Sequence, residues 1–512
     1  MNYTSITFLV YFLAPAYVLW RLAPQKFRGW VLLAASMVFY WLSSGAMVQL
    51  ILLTSAVTWQ AGRMIGQTGD CRREPDSRQK KKQWIFIYAV VFNAGLLLFI
   101  KYFQFLSVNL ELLFSFPVLP KMSWIVQPLG ISFYTLQAVS YLADVLHNRI
   151  PAEQNLAKLT LFLSFFPTIV EGPVVRYEET VDQLWQGKYP GFERTVMAFQ
   201  LICWGILKKR VIADRASLYV NTIFSSPASH SGAVLLIAGL LYTLQLYADF
   251  SGCIDVVRGV SELFGISLPQ NFRQPFASRS IAEFWRRWHI SLGTWLKNYI
   301  FLPLAFSRRM MEIREWLRCR YPDMVLPVFI GLPLLATWIV TGLWHGAAWK
   351  YLFYGFYYFL IIYSGILLEP FAERFCRNSL IERSGTIYLR FQRIRTFLLV
   401  LAGMMIFRAN RLLDFIEIMR KMLFGFQAQD LLQEATYLNA GLDIHDWMLL
   451  LFCLAVMTAV GHLQLRCSVR RLLMERPLAF QWTAELLMIF FTIIFGAYGI
   501  GYVPVNPIYG QF

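Results

Sequence analysis

VLPVFIGLPLLATWIVTGLWHGAAWKYLFYGFYYFLIIYSGILL, residues 325–368, carries no carboxylate, and His345 and Lys350 are its only nitrogen bases. A helix needs about 20 mostly apolar residues to cross a bilayer, so this stretch reads as two spans turned back on each other. Backbone polar groups in hydrocarbon must be satisfied internally. The ten-residue alternation of a barrel strand is absent, so the spans are helices. Basic stretches on either side, Arg286 to Arg320 and Arg374 to Arg395, put both ends of the hairpin at one membrane face. If the helices break at Gly342 and Gly346, His345 lies near the far turn or partway across. The glycines and Ala347-Ala348 then leave backbone open to a substrate.

The same kind of run recurs along the chain, near residues 5–20, 29–62, 84–106, 123–146, 195–207, 231–250, 396–407, 446–464 and 482–503. Residues 29–62 suffice for two short spans, and the total is roughly 11. A composition of 57% hydrophobic and 15% charged residues excludes a soluble surface. No positive charge precedes the first run, so it reads as a retained helix, not a signal peptide. The expected fold is all-α and polytopic, one continuous membrane domain over residues 1–512, with no linker or repeat.

A formal charge of +17 raises the question of nucleic acid, but no nucleic-acid module is present. The basic residues gather between spans, also at Arg21 to Arg28, Arg72 to Lys82 and Lys208 to Arg215. That is the positive-inside pattern and places these stretches on the cytoplasmic face. The polar run 67–83 reads as a solvated loop. Seven scattered cysteines, Cys71 among them, offer neither a disulfide framework nor a metal site.

Residues 266–320 are amphipathic. On one continuous helix Trp285, Trp288, Leu292 and Trp295 share a face, with Arg286 and Lys297 turned away. An interfacial or re-entrant helix follows, serving either as a headgroup anchor or as the lining of a site for an anionic ligand.

Of six histidines, His147 and His230 sit in polar loops, and His445 and His462 near the ends of an apolar run. His345 is set among aromatic residues at membrane depth, where an ionisable group is costly and faces an interior or a cavity. A neutral imidazole there is suited to taking the proton of an attacking hydroxyl. His289, in FWRRWHISLGTW, lies beside Arg286 and Arg287 and reads equally as packing or function. Asp144, Asp249 and Asp255 interrupt apolar helices. Asp255 and Arg258 are spaced to neutralise each other on one face. The remaining reading is support of the site histidines or of an acceptor hydroxyl. Nucleophile-elbow, zincin, P-loop and dinucleotide motifs are absent.

These residues resemble the membrane-bound O-acyltransferases, in the bacterial branch typified by alginate O-acetyltransferase membrane subunits. The resemblance runs through PLGISFYTLQAVSYLADV (128–145), FFPTIVEGPVVRY (165–177), QLYADFSG to YIFLPL (245–304), TGLWHGAAWKYLFYGF (341–356) and IFRANRLLDFIEIM (406–419). It makes residues 128–419 the family core, with peripheral helices in 1–127 and 420–512. It implies helices around a tunnel, His345 of the WHG motif as the catalytic residue and His289 of RWHISL as its companion. Trp344, Asp249, Asn271, Arg286 and Trp288 become candidates for substrate binding. The chain departs from the branch at Cys253, after DFSG, and in its ending NPIYGQF. The activity implied is transfer of an acetyl or related group from a cytoplasmic thioester, acetyl-CoA or a carrier-protein thioester, with no tightly bound cofactor and no metal. The acceptor would be an extracytoplasmic polysaccharide, reached directly or through a hydrolase-like (SGNH-type) partner, at a bacterial inner membrane and without nucleic acid. The alternatives are D-alanyl transfer to teichoic acid, a secondary transporter or flippase using His345 in a proton relay, and a partner subunit without chemistry.

Overall fold

In the computed structural model, residues 2–67, 76–116, 127–379, 382–438 and 440–498 are described. Expectations for Cys71, for the start of the 123–146 span, for the end of the 482–503 span and for the ending NPIYGQF lie outside them, as does most of the first half of the polar run. From Asp76 onward that run is not a loop. It opens the helix Asp76–Phe114, because its Arg, Gln and Lys residues are good helix formers.

Every regular element among the described residues is a helix, with no strand among them and one isolated antiparallel bridge, Phe272 to Trp288. Seven helical stretches are long and apolar enough to cross a membrane: Gln25–Gly66, Ser77–Phe114, Gly232–Leu263, Pro322–His345, Trp349–Asn378, Ile444–Leu463 and Leu478–Phe495. The first contains two helices, Arg28–Ser44 and Val48–Gly66, as its length suggests. Several other expected spans are shorter. Ile131–Leu146 and Phe192–Leu207 have 16 residues each, a rise of about 24 Å against a hydrocarbon core of about 30 Å.

The helices gather into two compact units built from discontinuous stretches: 1–210, 249–269 and 466–512 in one, 211–248 and 270–465 in the other. In the first unit Phe8, Phe12, Phe39 and Phe166 form an aromatic core, with the Phe12 and Phe166 rings 5.1 Å apart. The same unit holds a buried charge network. Lys209 Nζ is 2.8 Å from Asp249 Oδ1, both side chains almost fully enclosed, and Lys208 Nζ is 2.6 Å from Asp255 Oδ2. The stretch Lys208 to Arg215 is therefore not a solvated cytoplasmic loop. Lys208–Ala213 is a π-helical turn joining Phe192–Leu207 to Asp214–Ser225, and its two lysines are drawn inward because each meets a carboxylate, while Arg210 donates to the Thr4 carbonyl. Arg258 approaches Asp255 at 3.7 Å, so the expected pair exists but Lys208 is the nearer partner.

In the second unit the quoted hairpin is the helix Val325–His345 followed, after three residues, by Trp349–Asn378. The first helix is not broken at Gly342; it runs on to His345 and stops at Gly346. Gly342 and Gly355 are what close the hairpin. A Cβ at Gly342 would strike the Tyr351 carbonyl, and one at Gly355 the Trp338 carbonyl. Small residues let membrane helices pack backbone to backbone in this way.

The tryptophan stripe differs more from expectation. It is not one helix but two, Ile281–Arg287 and Ile290–Leu296, separated at Trp288 and His289. The cause lies outside the stripe. The backbone of 271–273 runs alongside 287–291, Arg273 N donating to Arg287 O at 2.9 Å and Ile290 N to Asn271 O at 3.0 Å. Those bonds replace the intrahelical ones and turn His289 into the left-handed region, φ 47° and ψ 51°.

Candidate active site

His345 is the last residue of its helix and is 2% exposed. The residue that follows a helix C-terminus normally meets water, but here the turn is roofed by aromatic rings. Measured between ring centroids, Trp344 is 5.1 Å from the imidazole, Phe407 5.3 Å, Tyr354 5.6 Å and Tyr351 6.5 Å. Tyr351 and Tyr354 are one turn apart on Trp349–Asn378 and so face the same side. Phe407 comes from the end of Thr386–Arg408. Lys350 fixes that end, its Nζ donating to the carbonyls of Phe407 at 3.1 Å and Ala409 at 2.8 Å.

His289 reaches the same place from the broken stripe. Its ring lies 5.9 Å from Trp344, so one indole touches both imidazoles. Burial holds the His289 imidazole well below its ordinary range, so the ring is neutral. Its backbone is held by Asn271, fully buried, whose Oδ1 accepts from Ser291 N at 2.9 Å. Trp288 points to the opposite side, stacked on Phe284 at 5.5 Å and edge-on to Phe272 at 5.0 Å. Behind the site Trp285 packs on Trp338 and Tyr358 at 5.1 Å and 4.9 Å.

The structure thus brings together His345, Trp344, His289 and Asn271. Trp288 belongs to the packing that holds the His289 turn. Arg286 is exposed, whereas its neighbour Arg287 pairs with Glu283 at 2.6 Å. Asp249 lies in the first unit on Lys209. Sequence reasoning did not single out Tyr351, Tyr354, Phe407 or Lys350. The i, i+3 tyrosines after WHG were a readable signal; Phe407 was not, because only the tertiary fold carries it to His345.

Two enclosed imidazoles around one indole, walled by phenols and a phenyl ring, form a site poor in fixed charge. Such a site suits proton transfer to and from a neutral base. Among the described residues no group of three metal-ligating side chains accompanies it.

A model of the membrane-bound O-acyltransferase family matches residues 149–312. The "probable alginate O-acetylase" of Azotobacter vinelandii is 32% identical over 417 residues, 80% of this chain and 76% of that protein. The peptidoglycan O-acetyltransferase of Helicobacter pylori is 30% identical over 381 residues, 69% of this chain and 66% of that one. The teichoic acid D-alanyltransferase of Bacillus subtilis is 30% identical over 253 residues, 48% of this chain and 61% of its own length. Similarity of this extent, on a chain of membrane-length helices, makes this a multi-pass membrane protein and an O-acyltransferase, a member of the membrane-bound O-acyltransferase family.

Proposed function

We propose that the protein moves an acetyl group from acetyl-CoA, arriving at the cytoplasmic face of a bacterial inner membrane, to a hydroxyl of an extracytoplasmic polysaccharide, directly or through a hydrolase-like partner. The observation that carries the reading is the enclosure of His345 at the turn of its hairpin, sharing the Trp344 indole with His289. His345 takes the proton of the acceptor hydroxyl as its oxygen attacks the thioester carbonyl. The C–S bond breaks, the thiolate leaves and the imidazolium returns a proton to it. His289, neutral, orients the donor or hydrogen-bonds the developing oxyanion. The acetyl and polysaccharide assignment is supported by relatives named for O-acetylation, which match far more of the chain than the D-alanyltransferase does. Family membership favours acyl transfer over the transporter reading.

The first experiment compares cell-surface O-acetyl content in cells carrying the wild-type protein or His345→Ala at matched membrane expression. Loss of a general base costs about a hundredfold or more in rate, so the esters should disappear. Esters at wild-type level would remove His345 from the mechanism.

A further inference from the structure

We infer that Lys350 is a positioning residue for His345: its ammonium ties the start of Trp349–Asn378 to the end of Thr386–Arg408 and so holds the Phe407 ring against the imidazole. The role rests on the reading of His345 as the base and adds what keeps the wall of that base in place.

Lys350 stands where a cation is out of place. It is half-buried and second in Trp349–Asn378, within the first turn, where the helix dipole favours negative charge. No carboxylate pairs with it among the described residues. Its charge is met by the neighbouring helix instead. The ammonium donates to Phe407 O and to Ala409 O, the latter at the C-cap of Thr386–Arg408, among the carbonyls that a helix end leaves without an intrahelical donor. A helix C-terminus favours a cation. Arg408, the terminal cation of that helix, is engaged elsewhere: its Nη2 donates to Asn221 Oδ1 at 2.9 Å and its guanidinium lies 5.2 Å from the Phe224 ring.

These contacts converge on the base. Phe407, whose carbonyl Lys350 holds, has its ring 5.3 Å from His345, 5.3 Å from Tyr351 and 5.5 Å from Tyr354. The same ammonium lies 4.9 Å from the centroid of the Tyr351 ring, within the range of a cation–π contact. Two rings of the wall are thus held by one side chain. Further along the same pair of helices Tyr357 Oη donates to Leu399 O at 2.7 Å. That tie is about two turns from Lys350 and leaves the Phe407 end to the lysine.

His345 and Lys350 lie on one hairpin, whereas Phe407 reaches the imidazole only by tertiary contact. Loss of the ammonium strips two carbonyls of their donor and frees the helix end that carries Phe407. The imidazole then loses its fixed wall, and displacement of a catalytic group by about 1 Å lowers a rate steeply. Two of the three ammonium protons are already on carbonyls, so Lys350 holds the site together and does not capture an anionic donor.

The test is a double-mutant cycle on the full chain purified in detergent, with transfer from acetyl-CoA to a small soluble alcohol measured as kcat and KM per folded molecule. Lys350→Met keeps the stem and removes the donors; it should lower kcat about tenfold or more and leave KM for acetyl-CoA at its wild-type value. Phe407→Ala should lower kcat by a similar factor. The double variant should be no slower than the slower single one, because both changes remove the same wall. Lys350→Gln, with a shorter neutral donor, takes the place of the methionine variant in the cycle if that one does not fold. A wild-type kcat in Lys350→Met overturns the role, and so do losses that multiply in the double variant. A raised KM for acetyl-CoA with kcat intact overturns it too and makes Lys350 a donor-binding cation. His345→Ala separates the two readings: lost transfer there with a wild-type kcat in Lys350→Met removes the role of Lys350 alone, whereas transfer at wild-type level in His345→Ala removes the base and the role together.

Discussion

The most informative residue is His289, because its two burdens can be separated. A non-glycine side chain in the left-handed region costs about 1–2 kcal/mol. His289→Gly relieves that strain but empties an enclosed space, so its thermal midpoint should fall less than that of His289→Ala while acyl transfer falls in both. Equal activity in either variant would show that the imidazole serves only packing. Asn271 makes the complementary case. Asn271→Ala deletes the oxygen that accepts from Ser291 N and leaves that buried donor unsatisfied, at a cost of about 1–3 kcal/mol. Asn271→Asp keeps the accepting oxygen but buries a carboxylate, so it should recover only part of the transfer rate; full recovery would show that the accepting oxygen alone is what the turn needs. Legibility at this scale was uneven. The imidazole of His345 stood out in sequence because an ionisable group amid apolar residues needs a reason. The break at His289 did not, since Trp285, Trp288, Leu292 and Trp295 keep helical spacing straight through it. The partner that breaks the helix, Asn271, lies outside the stripe.

At the scale of elements, the hairpin Val325–His345 and Trp349–Asn378 was readable as two spans and a turn. What closes it was not, because Gly342 looked like a helix breaker and acts as a contact surface. Gly342→Ala should overpack the backbone against Tyr351, at about 1–3 kcal/mol. It should also displace the tyrosine wall, so detergent thermal stability and acyl transfer fall together. A variant with wild-type stability would mean the helices separate without cost. The Lys208–Ala213 turn shows the same limit of sequence reasoning. Four basic residues within eight positions read as a stretch at the cytoplasmic face until the carboxylates that Lys208, Lys209 and Arg215 meet, Asp255, Asp249 and Asp446, are known from the fold.

For the molecule as a whole, membrane class and helical architecture were plain in composition and run length, while the number of spans was not. Short helices such as Ile131–Leu146 are apolar enough to count by eye yet fall below a bilayer's thickness. Within the first unit, Asp249 tests whether a buried carboxylate serves substrate or structure. Asp249→Ala strands Lys209 and should cost about 3–5 kcal/mol, whereas Lys209→Met with Asp249→Leu should restore most of it. If the double variant is stable and still transfers acyl groups, Asp249 belongs to the scaffold; stability without transfer would return it to the substrate.

The turn of the catalytic hairpin also bears on how the protein is made. Only Gly346, Ala347 and Ala348 separate the two helices, too little chain for one to wait in the membrane while the other is being synthesised. The pair is expected to enter lipid as one hairpin, and from that point Tyr351 and Tyr354 stand beside His345. Phe407 emerges later and closes the wall last, so the site is completed only when Thr386–Arg408 docks.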